Sequence, residues 1–204
     1  MHPRTNSLLL VFTRNPELGK CKTRLAKTVG DTIALDIYKF LLHHTAKITA
    51  NLPLIKQVYY SEEIWENDIW NPDSYQKKLQ KGEDLGARML AAFQQGFDEG
   101  FKKIVIIGSD MYDLSGPDLE HAFALLDHHD YVIGPAQDGG YYLLGMKKCK
   151  TVLFQNKAWG TATVLQDTLD ELNEENHAVL EVRNDVDRYE DIKDIPVFQQ
   201  FLKH

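Results

Sequence analysis

The segment Arg14-Asn15-Pro16-Glu17-Leu18-Gly19-Lys20-Cys21-Lys22-Thr23-Arg24 carries positive charge on Arg14, Lys20, Lys22 and Arg24, around a glycine that permits a tight turn. Arginine grips phosphate oxygens in pairs and lysine acts as a mobile point charge, so such a loop suits a small polyphosphate. Gly19-Lys20 lacks the leading glycine and the Gly-Lys-Ser/Thr ending of a Walker A loop, which excludes that motif. A solvated basic loop is the plain alternative. The loop follows an apolar run directly, however, where binding residues concentrate.

Gly108-Ser109-Asp110-Met111-Tyr112-Asp113-Leu114 puts a carboxylate at the tip of another apolar run. An aspartate there is costly to desolvate unless it meets a cation, and Mg²⁺ or Mn²⁺ on nucleotide phosphates takes such oxygens. Asp110 is therefore read as a metal ligand and Asp113 as a helix cap. In Asn184-Asp185-Val186-Asp187 the alternate carboxylates of an extended segment point the same way, so Asp185 and Asp187 could share one cation. Alternatively, Asp187 caps a helix beginning near Arg188.

Asp138-Gly139-Gly140 lies directly before the strand-like Tyr141-Tyr142-Leu143-Leu144-Gly145. Two glycines let a backbone approach a ligand without Cβ interference, and Asp138 gives that approach a charge. Gly82-Glu83-Asp84-Leu85-Gly86-Ala87-Arg88-Met89 opens a helix whose first amides could face an anion, which makes Asp84, Gly86 and Arg88 candidate contacts. Otherwise Asp84 is an ordinary cap and Arg88 a surface residue. Trp159 could stack on a base or a sugar, or belong to the core.

Strands and helices must position these loops. Ser7 to Thr13 is a continuous apolar run that suits a strand buried on both faces. Helical spacing follows from Asp31 to Asn51, through Ile33, Ile37, Phe40 and Leu41, and again from Asp84 to Gly100. Strands are expected at Gln57 to Tyr60, Lys103 to Gly108, Asp130 to Gly134, Tyr141 to Gly145 and Ala178 to Val182. Further helices are expected from Pro117, from Thr161 to Glu175 and over most of Asp187 to Leu202. This alternation predicts an α/β fold with a mostly parallel central sheet flanked by helices, and 204 residues suit one domain spanning 1–204. Ligands of such sheets sit outside the carboxyl ends of the strands, where every unusual polar cluster of this chain falls.

A net charge of −7 argues against nucleic acid as a main partner. Leu8-Leu9-Leu10-Val11-Phe12 is too short to span a membrane or to serve as a convincing signal core. Cys21 and Cys149 have no Cys-x-x-Cys spacing and suggest a cytoplasmic protein with free thiols. The pairs His43-His44 and His128-His129 are read as surface residues, because adjacent helical side chains diverge.

Phe12-Thr13-Arg14 with Pro16, Gly19-Lys20, Lys22-Thr23-Arg24-Leu25, Asp84-Leu85-Gly86 with Arg88-Met89, Gly108-Ser109-Asp110, Asp138-Gly139-Gly140-Tyr141-Tyr142 and Asp185-Val186-Asp187 occur in one order. With these motifs nearly the whole chain resembles the bacterial DUF2064 family, whose members are often labelled glycosyltransferase or nucleotide-diphospho-sugar transferase. The resemblance implies a single Rossmann-like GT-A domain. It further implies a nucleotide held by the first loop, a divalent cation at Asp110, and an acceptor or sugar near Asp138, Gly139 and Gly140. The chain departs from the family pattern at Tyr112, Gly160 and Arg188. The missing proline at 112 is expected to loosen the loop that carries Asp110.

Two transferase chemistries use these parts. In glycosyl transfer an acceptor hydroxyl attacks the sugar carbon and a nucleoside diphosphate leaves. In nucleotidyl transfer the phosphate of a small acceptor attacks the α-phosphorus of a nucleoside triphosphate and pyrophosphate leaves. Both develop charge on phosphate oxygens that a metal and Lys/Arg groups stabilise. Glycosyl transfer from a nucleotide-diphospho-sugar leads. There Arg14, Lys20, Lys22 and Arg24 hold the diphosphate, Asp110 holds Mg²⁺ or Mn²⁺ with Asp185 or Asp187, and Asp138 meets the acceptor hydroxyl. Nucleotidyl transfer stands second, and a catalytically silent nucleotide-binding protein third.

Overall fold

Unbroken aliphatic runs build the centre of the molecule, because only a strand covered on both faces can bury every residue it contains. The computed structural model describes residues 6–203. The strands are β1 Ser7–Thr13, β2 Ile55–Tyr60, β3 Gln76–Leu79, β4 Lys103–Gly108, β5 Tyr131–Pro135, β6 Tyr141–Met146 and β7 His177–Val179. The helices are α1 Thr23–Val29, α2 Asp31–Ala50, α3 Leu85–Asp98, α4 Gly116–Leu125, α5 Val164–Glu171 and α6 Gln199–Leu202. The sheet runs β3-β2-β1-β4-β6-β5-β7. Every pairing is parallel except those of β6, which is antiparallel to β4 and β5.

Alternate residues of β1 serve opposite layers. Leu9 and Val11 pack with Tyr38, Leu42 and Val58, whereas Leu8, Leu10 and Phe12 pack with Met89, Phe93 and Ile106. A third cluster joins α1 and α2 to the C-terminal segment through Leu25, Ile37, Val186, Ile192 and Phe198. Among the described residues no helix is long and apolar enough to cross a membrane.

Several elements differ from expectation. The helix expected from Thr161 starts only at Val164 and ends at Glu171, because Thr161 turns back to the carbonyl of Ala158. The strand expected at Ala178 to Val182 is β7, displaced toward its N-terminus, with Val182 exposed. The expected C-terminal helix breaks into 3-10 turns at Tyr189–Asp191 and Pro196–Phe198, followed by the short α6. Pro196 cannot donate within a helix and interrupts it. Two elements were not foreseen: α1, and the polar edge strand β3, whose sequence Gln-Lys-Lys-Leu carries no buried stripe.

Candidate active site

The chain leaves β1 toward β2 and β3, then crosses to β4 on the other side of β1. That reversal opens a crevice at the carboxyl ends of β1 and β4, where Arg14 and Asp110 emerge. A buried hydroxyl network braces its floor. The Arg14 amide donates to the Tyr38 hydroxyl at 2.9 Å, which donates in turn to the Arg14 carbonyl at 3.2 Å. Ser109 Oγ lies 3.1 Å from Thr13 Oγ1 and 3.3 Å from the Tyr38 oxygen, tying the ends of both strands to α2. Tyr38 follows the apolar Ile37 in a helix and gave no sequence signal of this role.

Lys22 reaches into the crevice and donates from Nζ to Asp110 Oδ2 at 2.8 Å. The Lys22 side chain is 6% exposed and that of Asp110 36%. The Lys22 backbone is left-handed, with φ 50° and ψ 43°, a conformation that costs a non-glycine residue about 1 kcal/mol. Burial opposes the charge on both partners, but their mutual attraction and hydrogen bond outweigh it. Asp110 is held below the usual carboxylate range and Lys22 above the usual ammonium range.

Asp185 stands differently. Burial first, and then the charge of Asp110, push its carboxyl up to about 6; Asp138 and Asp187 add to the shift and Lys22 offsets part of it. The Val186 amide donates to the Asp110 carbonyl at 3.2 Å, which docks the Asp185 segment beside β4.

The four basic side chains do not converge as one grip. Lys20 pairs with Glu17 at 2.7 Å and Glu62 at 3.2 Å, on the outside of the loop, while Gly19 makes its turn with φ +74°. Arg24 pairs with Asp187 at 2.9 Å. Arg14 is exposed, and its charge acts on Asp110. Asp84 caps α3 by accepting from the Ala87 amide at 2.7 Å. Arg88 is half-buried and donates to the Gly82 carbonyl at 3.0 Å.

One further expectation is corrected. Asp113 does not cap α4: Ser115 does, in a reciprocal box with Asp118. A reciprocal Ser-Asp pair satisfies two amides where a lone Asp113 would satisfy one. Tyr112, expected to leave a loosened loop, packs its ring against His44, Phe198 and Phe40 at 5.2, 5.1 and 5.9 Å.

Beyond Asp110 lies a cavity of about 250 Å³. Asp110, Asp138 and Asp185 are its charged lining groups, and Gly140 completes that side. Its apolar lining includes Phe12, Leu85, Met89, Tyr141, Trp159 and Val164, of which Phe12, Met89, Tyr141 and Trp159 pack in one cluster. Asp138 is exposed and accepts the Gly140 amide at 2.9 Å through one oxygen. Gly139 has φ +88°, and a Cβ there would stand 2.3 Å from the Ala162 carbonyl oxygen. The close approach that this glycine permits is thus to the chain's own 158–163 segment, fastened by the Leu165 amide on the Gly139 carbonyl at 2.9 Å. At Gly86 a Cβ would lie 2.6 Å from the Trp159 ring. Both glycines seat Trp159 as a cavity wall. The contribution of Leu85, Met89 and Tyr141 was not read from the sequence, where they looked like ordinary core.

The donor set here is hard carboxylate oxygen. Among the described residues no three His, Cys, Asp or Glu side chains close on one point, so these residues offer no complete cage. One or two carboxylates fit a small hard cation that keeps water and phosphate oxygens in its shell. Burial and then the neighbouring Asp110 charge raise the Asp185 carboxyl, and a bound cation would relieve both.

Comparison with known proteins gives the same architecture. A protein of Desulfovibrio desulfuricans, described as a candidate nucleotide-diphospho-sugar transferase, shares 30% identity over 97% of this chain and 94% of its own, with a TM-score of 0.85. A cytidylyltransferase of Leptospira borgpetersenii shares the fold at 14% identity, over 92% of this chain and 83% of its own, with a TM-score of 0.57. A manganese complex of a Mycobacterium tuberculosis protein does so at 13% identity, over 93% and 97%, with a TM-score of 0.53. No curated protein matches the chain. The profile of the DUF2064 family, described as an uncharacterized protein conserved in bacteria, matches residues 45–161. With that match and the 30% identity to the Desulfovibrio protein over nearly its full length, the chain belongs to the DUF2064 family.

Proposed function

We propose that this chain is a nucleotide-dependent transferase that moves a sugar from a nucleoside-diphosphate-sugar to an acceptor hydroxyl, with Mg²⁺ or Mn²⁺. The observation that carries the choice is the cavity beyond Asp110. Its charged lining is Asp110, Asp138 and Asp185, with no Lys, Arg or His among the lining residues. With a cation on Asp110 and Asp185, Asp138 remains as the carboxylate facing the acceptor, and it favours a neutral hydroxyl over a phosphorylated one. The description of the Desulfovibrio relative supports the same donor class.

Asp110 and Asp185 would hold the cation, which supplies charge stabilisation to the departing diphosphate. Arg14 and Lys22 border the same crevice and bring positive charge to the phosphates. Asp138 keeps one carboxylate oxygen beyond that taken by Gly140 and receives the acceptor proton as the new C–O bond forms and the bond to the diphosphate breaks. Asp187 and Arg24, paired with each other, close the rim.

Nucleotidyl transfer is favoured by one observation of its own. Arg14 and Lys22 both act on Asp110, and Arg24 feels Asp138 and Asp185, a density of positive charge suited to a triphosphate. The leaving group separates the readings. Incubation with Mn²⁺ and a panel of donors should release nucleoside diphosphate; pyrophosphate release would select the second reading instead. Nucleotide binding without either product would leave a binding protein.

A further inference from the structure

We infer that the apolar wall of the cavity lines an acceptor subsite for a non-phosphorylated alcohol carried on an apolar ring, with Trp159 as its specificity-determining residue. This rests on the glycosyl-transfer reading and names its acceptor class.

The lining holds two kinds of group. Three are carboxylates, and Phe12, Met89, Tyr141 and Trp159, which pack in one cluster, form an apolar wall with Leu85. Leu85, on the first turn of α3, is 45% exposed and joins this lining. The one side-chain hydroxyl among these five residues belongs to Tyr141, and its partner is the Met89 sulfur at 3.8 Å, a weak acceptor. The other hydroxyls of the lining are already engaged, Thr161 with the Ala158 carbonyl at 2.8 Å and Tyr142 with the Glu181 carbonyl at 3.2 Å. A sugar acceptor or a nucleobase would leave several edge donors and acceptors unpaired against these walls, whereas an apolar ring with a single hydroxyl has one group to pair. Its hydroxyl meets Asp138, and its body meets Trp159.

The wall is built, not incidental. The Trp159 ring stands across Tyr141, with centroids 6.5 Å apart and planes at 84°. Any Cβ at Gly86 would collide with that ring, and any Cβ at Gly139 would displace the segment that carries it. Two separate backbone features therefore hold one aromatic face toward one cavity.

The test is ligand-observed NMR with 2-phenylethanol and 2-phenylethyl phosphate, which share a body and differ in charge. The wild-type protein should bind the alcohol weakly and the phosphate ester not at all. Trp159→Ala should weaken alcohol binding about ten-fold, as loss of an aromatic anchor does. Leu85→Ser, at a position exposed enough to spare the fold, should weaken it several-fold. Equal or tighter binding of the ester, or wild-type affinity in both variants, overturns the inference. So does displacement of the alcohol by a free nucleoside, which would assign this wall to the donor's base. A thermal shift with nucleoside diphosphate and Mn²⁺, run in parallel on the wild-type protein, separates the two levels. A shift without alcohol binding ends the acceptor inference alone; neither response ends both.

Discussion

Replacing Asp185 by Asn removes one carboxylate from a crowded set while keeping its shape. Burial first, and the charge of Asp110 next, raise the Asp185 carboxyl from an ordinary 3.8 to about 6. The folded chain therefore holds this proton more tightly than the unfolded chain does. Below about pH 4 the group is protonated in both states and carries no penalty. As pH rises through about 6 the folded state must ionise a carboxyl that resists, and stability falls; above that the loss is complete. A shift of roughly two units is worth about 3 kcal/mol at full value, and water reaching this partly exposed group reduces the expected loss to about 1–2 kcal/mol. In EDTA, Asp185→Asn should melt roughly 3–6 °C above the wild type at pH 8 and alongside it near pH 4. Adding nucleoside diphosphate and Mn²⁺ should then raise the wild type more than the variant, because the variant has lost a ligand for the cation. Thermal unfolding at several pH values reads both effects. A variant less stable than the wild type at pH 8, or a difference that does not change with pH, would refute the reasoning.

Lys22→Met leaves the Asp110 carboxylate beside Asp185 without its counter-charge. With Asp110 partly exposed, the loss should be about 2 kcal/mol, less than for a fully buried pair, and adding Asp110→Asn should recover much of it in urea unfolding. Gly139→Ala combines a φ of +88° with a Cβ 2.3 Å from the Ala162 carbonyl. It should cost about 3 kcal/mol and change the tryptophan emission as the Trp159 segment shifts; a melting temperature equal to wild type would show that the segment is not clamped there. Asp138→Asn should lower kcat by about a hundred-fold or more while the thermal shift with nucleotide and Mn²⁺ persists. Loss of that shift would place Asp138 in the donor site instead.

Lys22 joins several of these expectations. A left-handed lysine is strained, and a buried ammonium is costly to desolvate, yet here both occur at one residue facing the carboxylate at the end of β4. Strain of this kind persists where the surroundings over-determine it, commonly at binding sites. The hydroxyl network of Thr13, Tyr38 and Ser109 supplies that rigidity beneath the pair.

The sequence by itself determined the sheet and where its ligands must gather. Ser7 to Thr13 and Lys103 to Gly108 are buried strands because their apolar runs have no polar face to show water. The alternation with helices made the sheet mostly parallel, and the charged loops marked its carboxyl ends. These are properties of neighbours along the chain. Tertiary structure alone decided which charges meet. Lys22 and Asp110 are 88 residues apart and Arg24 and Asp187 are 163 apart, so no local pattern reveals that these cations answer the chain's own carboxylates. The antiparallel insertion of β6 between β4 and β5 is equally nonlocal. Asp138-Gly139-Gly140 shows the boundary most clearly. Glycine there was legible as a close approach, but only the packed structure shows that Gly139 is approached by Ala162, since a missing Cβ records that space is taken and not by what.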